Sequence, residues 1–124
     1  MTMAFLAVLV AGVLPVVCAG IAKAGWKGYD NRDPRAWLAK QTGFRARANA
    51  AQSNSFEAFP FFAVGVALAA FTQADASLIN TLALVFVASR LAYIACYLAD
   101  KASARSLFWA VGYGATIWLY VLAV

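Results

Sequence analysis

Glu57 and Arg90 are two full charges set inside stretches that are otherwise apolar enough to cross a bilayer. Around Glu57 the chain reads Gln52-Ser53-Asn54-Ser55-Phe56-Glu57-Ala58-Phe59-Pro60, and it continues without charge through Phe71. Arg90 interrupts an apolar run from Leu82 to Tyr97. Ionisable side chains at such depth cost several kcal/mol unless they are paired or wet, so they mark a functional site or a structural ion pair that fixes helix register. Helical rise is about 1.5 Å per residue, which turns sequence offsets into depths. Counted from Arg47, Asn54 lies roughly 10 Å in and Glu57 roughly 15 Å in. Counted back from Asp100, Tyr97 lies roughly 5 Å in, Tyr93 roughly 10 Å and Arg90 roughly 15 Å. Glu57 and Arg90 therefore share a level, as do Asn54 and Tyr93.

Facing agrees with depth. Arg90, Tyr93 and Tyr97 are spaced i, i+3, i+7 and fall on one helical stripe, and Asn54 and Glu57 are i, i+3 neighbours. The expected result is a polar seam open to the cytoplasm, floored by a Glu57–Arg90 pair and walled by tyrosine hydroxyls. Each residue has an ordinary alternative: Tyr93 and Tyr97 as aromatic packing with satisfied hydroxyls, Arg47 as a headgroup anchor. The coincidence of levels is what favours a binding site.

The elements that must carry these residues follow from composition. The 124 residues are 65% hydrophobic and 12% charged, against roughly a quarter charged in soluble domains. Apolar runs long enough to span a membrane recur. The reading is an all-α membrane protein, one domain over 1–124, built as a four-transmembrane-helix bundle with crossings at about 3–22, 43–71, 78–99 and 107–124. Lys23, Lys27, Arg32, Arg35, Lys40, Arg45 and Arg47 crowd the first loop, Lys101 and Arg105 the third, and Thr72–Ser77 has no basic residue. That alternation puts the basic loops in the cytoplasm and both termini on the outer side, with anionic lipid rather than nucleic acid as the partner of the net charge of +5. No basic residue precedes Lys23, so the first apolar run reads as a retained crossing rather than a cleaved signal. Histidine is absent, and Cys18 and Cys96 lie in apolar segments, so no metal site is expected. Arg45, Arg47, Asn49, Gln52, Asn54 and Glu57 do not fit one narrow stripe. A helix polar on several faces must be surrounded by protein, which predicts a homo-oligomer with the second helix near its axis.

The block Asn54-Ser55-Phe56-Glu57-Ala58-Phe59-Pro60, with Arg47 upstream and Arg90-Leu91-Ala92-Tyr93-Ile94-Ala95-Cys96-Tyr97 downstream, resembles the MAPEG superfamily, membrane-associated proteins in eicosanoid and glutathione metabolism. The likeness covers essentially the whole chain and is nearest to the bacterial branch, which implies a multi-pass protein of the bacterial inner membrane. It further implies a homotrimer with glutathione bound between adjacent subunits near the cytoplasmic surface, as co-substrate rather than resident cofactor. By position, Arg47, Gln52, Asn54, Glu57, Tyr93 and Tyr97 match the family's glutathione contacts. Arg105 lies within one position of the arginine that stabilises the thiolate in the leukotriene-forming branch, and makes the catalytic pair with Tyr93. One position departs: Ala50 stands where the transferases carry a second arginine for a glutathione carboxylate. The activity implied is a glutathione-dependent transferase or peroxidase acting on hydrophobic small molecules dissolved in the bilayer. The rival is a non-catalytic membrane protein of the same fold that binds a lipid or another anionic ligand. A small transporter is weaker, since beyond Pro15 and Pro60, which keep it open, the helices lack the Gly/Pro interruptions that expose backbone ligands at mid-membrane.

Overall fold

The computed structural model describes residues 1–25 and 28–124, and five helices carry nearly all of them. Lys27, counted above in the basic first loop, lies outside the described residues. Helix α1 spans Thr2–Lys23, α2 Pro34–Ala39, α3 Gly43–Phe71, α4 Ala76–Leu98 and α5 Ala102–Leu122. Helices α1, α3 and α4 are long and apolar enough to cross a membrane. Helix α5, at 21 residues, is long enough for the same span. Arg105, two tryptophans, two tyrosines and two glycines dilute its hydropathy.

Four of these helices fall on the stretches read above as crossings, with two differences in the helical bounds. The first loop holds a helix that apolar patterning did not signal. Asp33 caps α2 by accepting from the Ala36 N–H at 3.3 Å, and Pro34 occupies its first position, where a missing N–H costs nothing. Helix α5 starts at Ala102 rather than near Leu107, because Ala102, Ala104 and Arg105 are good helix formers although Ser103, Arg105 and Ser106 make the stretch too polar to read as part of a crossing.

Helix ends are closed by local chemistry. Asp75 caps α4 through the Leu78 N–H at 3.0 Å. Helices α3 and α4 both end in paired backbone bonds that reach back over the last turn: Gln73 and Ala74 donate to Ala70 and Ala69, and Asp100 and Lys101 donate to Tyr97 and Cys96. This ending needs a left-handed residue, supplied here without glycine by Gln73 (φ 58°) and Asp100 (φ 60°). Two arginines cap from a distance. Arg45 donates to the Ala22 and Ala24 carbonyls at the end of α1, both at 2.9 Å, and Arg47 Nε donates to the Leu98 carbonyl of α4 at 3.2 Å. Cations at helix C-termini also complement the helix dipole. At the opposite end of the bundle, Asn80 Oδ1 accepts from the Ala4 N–H at 3.0 Å, one of the free donors at the start of α1.

Helix α1 lies along α3, α5 lies along α4, and α3 and α4 each touch three long helices, so they form the short diagonal of the bundle. Phe62 of α3 stacks on Phe86 of α4 with centroids 3.8 Å apart. Small residues let the helices approach: a Cβ at Gly112 would stand 2.5 Å from Ser89 Oγ, and one at Gly65 would stand 3.0 Å from the Tyr120 ring. Leu9, Val13 and Val16 of α1 and Leu107, Trp118 and Val121 of α5 remain exposed, an apolar exterior suited to lipid or to neighbouring subunits.

Candidate functional site

A cavity of about 230 Å³ opens between α3, α4 and α5. Asn54, Glu57 and Arg90 form its polar end. Phe61, Phe86, Trp109 and Tyr113 wall the remainder, with Ala58 leaving room on the α3 side. The depth argument thus brings three of its residues to one cavity. They meet because α3 and α4 are consecutive antiparallel helices packed side by side.

Among the described residues the expected Glu57–Arg90 ion pair does not form. Arg90, only 3% exposed, donates from Nη2 to Ser55 Oγ at 2.9 Å and lies over the Tyr93 ring at 4.2 Å. Among the described residues Glu57 has no cationic partner and is exposed along the cavity. The reason is rotational. Two helical positions turn the side-chain direction by about 200°, so when Ser55 faces α4, Glu57 cannot point the same way. Ser55 is buried between the helices and is a functional neighbour that the sequence reading missed.

The α4 stripe is present, with a different role for its rings. Arg90 stacks on Tyr93, Tyr93 meets Tyr97 edge-on at 5.6 Å, and the Arg105 guanidinium lies over the Tyr97 ring at 4.2 Å. Two cations thus bracket two rings along the α4–α5 face, an arrangement that holds guanidinium groups without neutralising them. Among the described residues neither tyrosine hydroxyl makes a hydrogen bond. Arg47, matched above to a glutathione contact by resemblance, donates from Nε to the Leu98 carbonyl at the end of α4. Gln52 lines a second cavity on another side of α3, with Arg35 of α2, Asn49 and Phe56.

Two polar atoms set these cavities apart from ordinary packing gaps. Asn54 Oδ1 and Gln52 Oε1 are buried with no hydrogen-bond partner. A buried acceptor left unmade costs about 1–3 kcal/mol, which sets these two apart from the satisfied polar groups around them. Asn54 is among the residues lining the first cavity and Gln52 among those lining the second.

A model of the MAPEG family matches residues 3–124. The chain belongs to the MAPEG family. No curated protein matches it. As a MAPEG protein with three long apolar helices, it is an integral membrane protein. The block from Asn54 to Pro60 therefore sits in a MAPEG helix, with Asn54 lining one cavity and Gln52, just before the block, lining another.

Proposed function

We propose that this MAPEG protein is a glutathione-dependent transferase or peroxidase for lipophilic electrophiles, working as a homotrimer of four-crossing subunits. Helix α5 is the fourth crossing, both termini lie on the outer face, and the site opens to the cytoplasm of a bacterial inner membrane. The observation that carries the reading is the pair of unpartnered buried acceptors, Asn54 Oδ1 and Gln52 Oε1, on different sides of α3. A peptide rich in N–H donors, held between adjacent subunits, answers both at once: Asn54 and Glu57 from one subunit and Gln52 from its neighbour. The free hydroxyls of Tyr93 and Tyr97 supply donors for its carboxylates or sulfur.

A free thiol titrates near 8.5, so its thiolate needs a nearby cation at neutral pH. Arg105, held over Tyr97, is that cation. The thiolate sulfur attacks the electrophilic carbon, a C–S bond forms, the leaving group departs with its electron pair, and the thiol proton goes to water. Holding a water-soluble thiol and a membrane-dissolved electrophile at one interface is itself a rate gain. Ala50, in place of a second arginine, weakens the carboxylate contact by about 1.5–3 kcal/mol, or one to two decades of affinity. That single position favours the second reading, a non-catalytic lipid-binding protein on the same scaffold.

The test is conjugation of glutathione to 1-chloro-2,4-dinitrobenzene by purified protein, with Arg105→Ala alongside. The expected result is turnover in the parent, with the half-maximal pH of the rate rising toward the free-thiol value in the variant. No turnover, together with no protection by glutathione against thermal unfolding, refutes the reading. A co-purified lipid that glutathione does not displace selects the alternative.

A further inference from the structure

We infer that Arg35 of α2 takes the glycyl carboxylate of the bound peptide, entering the site from the same subunit that supplies Gln52. The assignment rests on the glutathione reading and adds the cation that the far end of the peptide needs. Arg90 lines the first cavity, but it is buried and held by Ser55 and the Tyr93 ring. Arg45 and Arg47 of α3 are committed to carbonyls at the ends of α1 and α4, and Arg105 lies over Tyr97. Arg35 differs from all four. It lines the second cavity together with Gln52, it is exposed, and among the described residues it has no hydrogen bond or anionic partner. Its backbone is nonetheless fixed. Asp33 and Pro34 start α2, and Leu38 closes the helix down against Ala22 and Ala48. Arg35 and Leu38 are i, i+3 neighbours, so seating Leu38 turns Arg35 toward α3. Asn49, Gln52 or Ser53, and Phe56 recur at one-turn spacing along the facing stripe of α3, and no acidic residue lines this cavity. Neutral amides and a hydroxyl around one guanidinium suit a carboxylate, whose two oxygens a guanidinium can grip at once. The two cavities therefore differ in chemistry. Glu57 at the first suits the ammonium of the γ-glutamyl end, and Arg35 at the second suits the end that carries a carboxylate alone.

The test is a cycle between residue and ligand. Glutathione and its glycyl monoethyl ester, in which that carboxylate is masked, are titrated calorimetrically into the detergent-solubilised parent and Arg35→Gln. Helical content and oligomer mass are checked in both proteins. The parent should bind glutathione about tenfold tighter than the ester, and Arg35→Gln should lose about the same factor for glutathione. The ester should bind both proteins alike, because the contact it lacks is the one the variant lacks. A purely structural Arg35 would instead weaken both ligands together, and that result overturns the inference. So does a folded Arg35→Gln that binds glutathione like the parent; either outcome leaves the glutathione reading standing. Should Arg35→Gln fail to fold, Arg35→Lys decides, since it keeps the charge and loses the two-pronged grip. Its preference for glutathione over the ester should shrink, and an unchanged preference sinks the assignment. A parent that binds neither ligand removes the glutathione reading and this inference with it.

Discussion

Ser55→Ala and Glu57→Gln separate the group that holds Arg90 from the group that is held ready for a ligand. Arg90 is buried, and among the described residues Ser55 Oγ is its one hydrogen-bond partner, at 2.9 Å. Hydrogen bonds to a charged group contribute about 1.5–3 kcal/mol, and side-chain bonds between membrane helices average about 0.6 and reach about 1.7 kcal/mol. Ser55→Ala should therefore cost about 1–2 kcal/mol of subunit stability, the stack on Tyr93 remaining. Glu57 has no partner in the subunit, so Glu57→Gln removes a charge that membrane burial penalises and should cost less than about 0.5 kcal/mol. The assay is reversible unfolding of the purified protein in mixed micelles, with circular dichroism for helix content and native mass spectrometry for the oligomer. In the same samples Glu57→Gln should lose the protection that glutathione gives, and Ser55→Ala should keep most of it. The opposite pattern, with Glu57→Gln strongly destabilising and Ser55→Ala silent, would show that the carboxylate is Arg90's counter-charge after all. The rotational argument for α3 would then be wrong.

Three further outcomes follow from the same geometry. Ala50→Arg should tighten glutathione binding by about one to two decades, measured by calorimetry, if a lost carboxylate contact is what the alanine represents. Arg45→Met should loosen the end of α1 by about 1–2 kcal/mol through loss of its bonds to the Ala22 and Ala24 carbonyls, seen as faster amide exchange over Ile21–Gly25. Gln73→Gly should raise stability by about 0.5–1 kcal/mol, because glycine accepts the left-handed backbone that glutamine holds at φ 58°; a loss of stability would contradict the strain assigned there.

Much of this was legible in the sequence, and the rest was hidden for identifiable reasons. The levels of Asn54, Glu57 and Arg90 and the stripe through Tyr93 and Tyr97 could be read because helical rise and twist are local properties. The rotation of α3 against α4 could not be read. It depends on which small residues, Ala48, Ala51 and Ser55, turn inward, and it decided that Arg90 meets Ser55 instead of Glu57. Arg45 and Arg47 looked like loop charges because the carbonyls they cap lie on other helices. Helix α2 carried a signal in Asp33-Pro34, but a helix of six residues is too short for apolar periodicity to reveal. That Asn54 and Gln52 would both be left without donors is a property of the packed subunit and has no signature in the chain.

A density map of the purified oligomer soaked in glutathione bears most directly on the reading of those two acceptors. The account predicts a three-fold assembly in which one peptide reaches Asn54 and Glu57 of one subunit and Gln52 of the next. Subunit boundaries that leave both amides facing empty or lipid-filled cavities, with no peptide density at saturating glutathione, would contradict it.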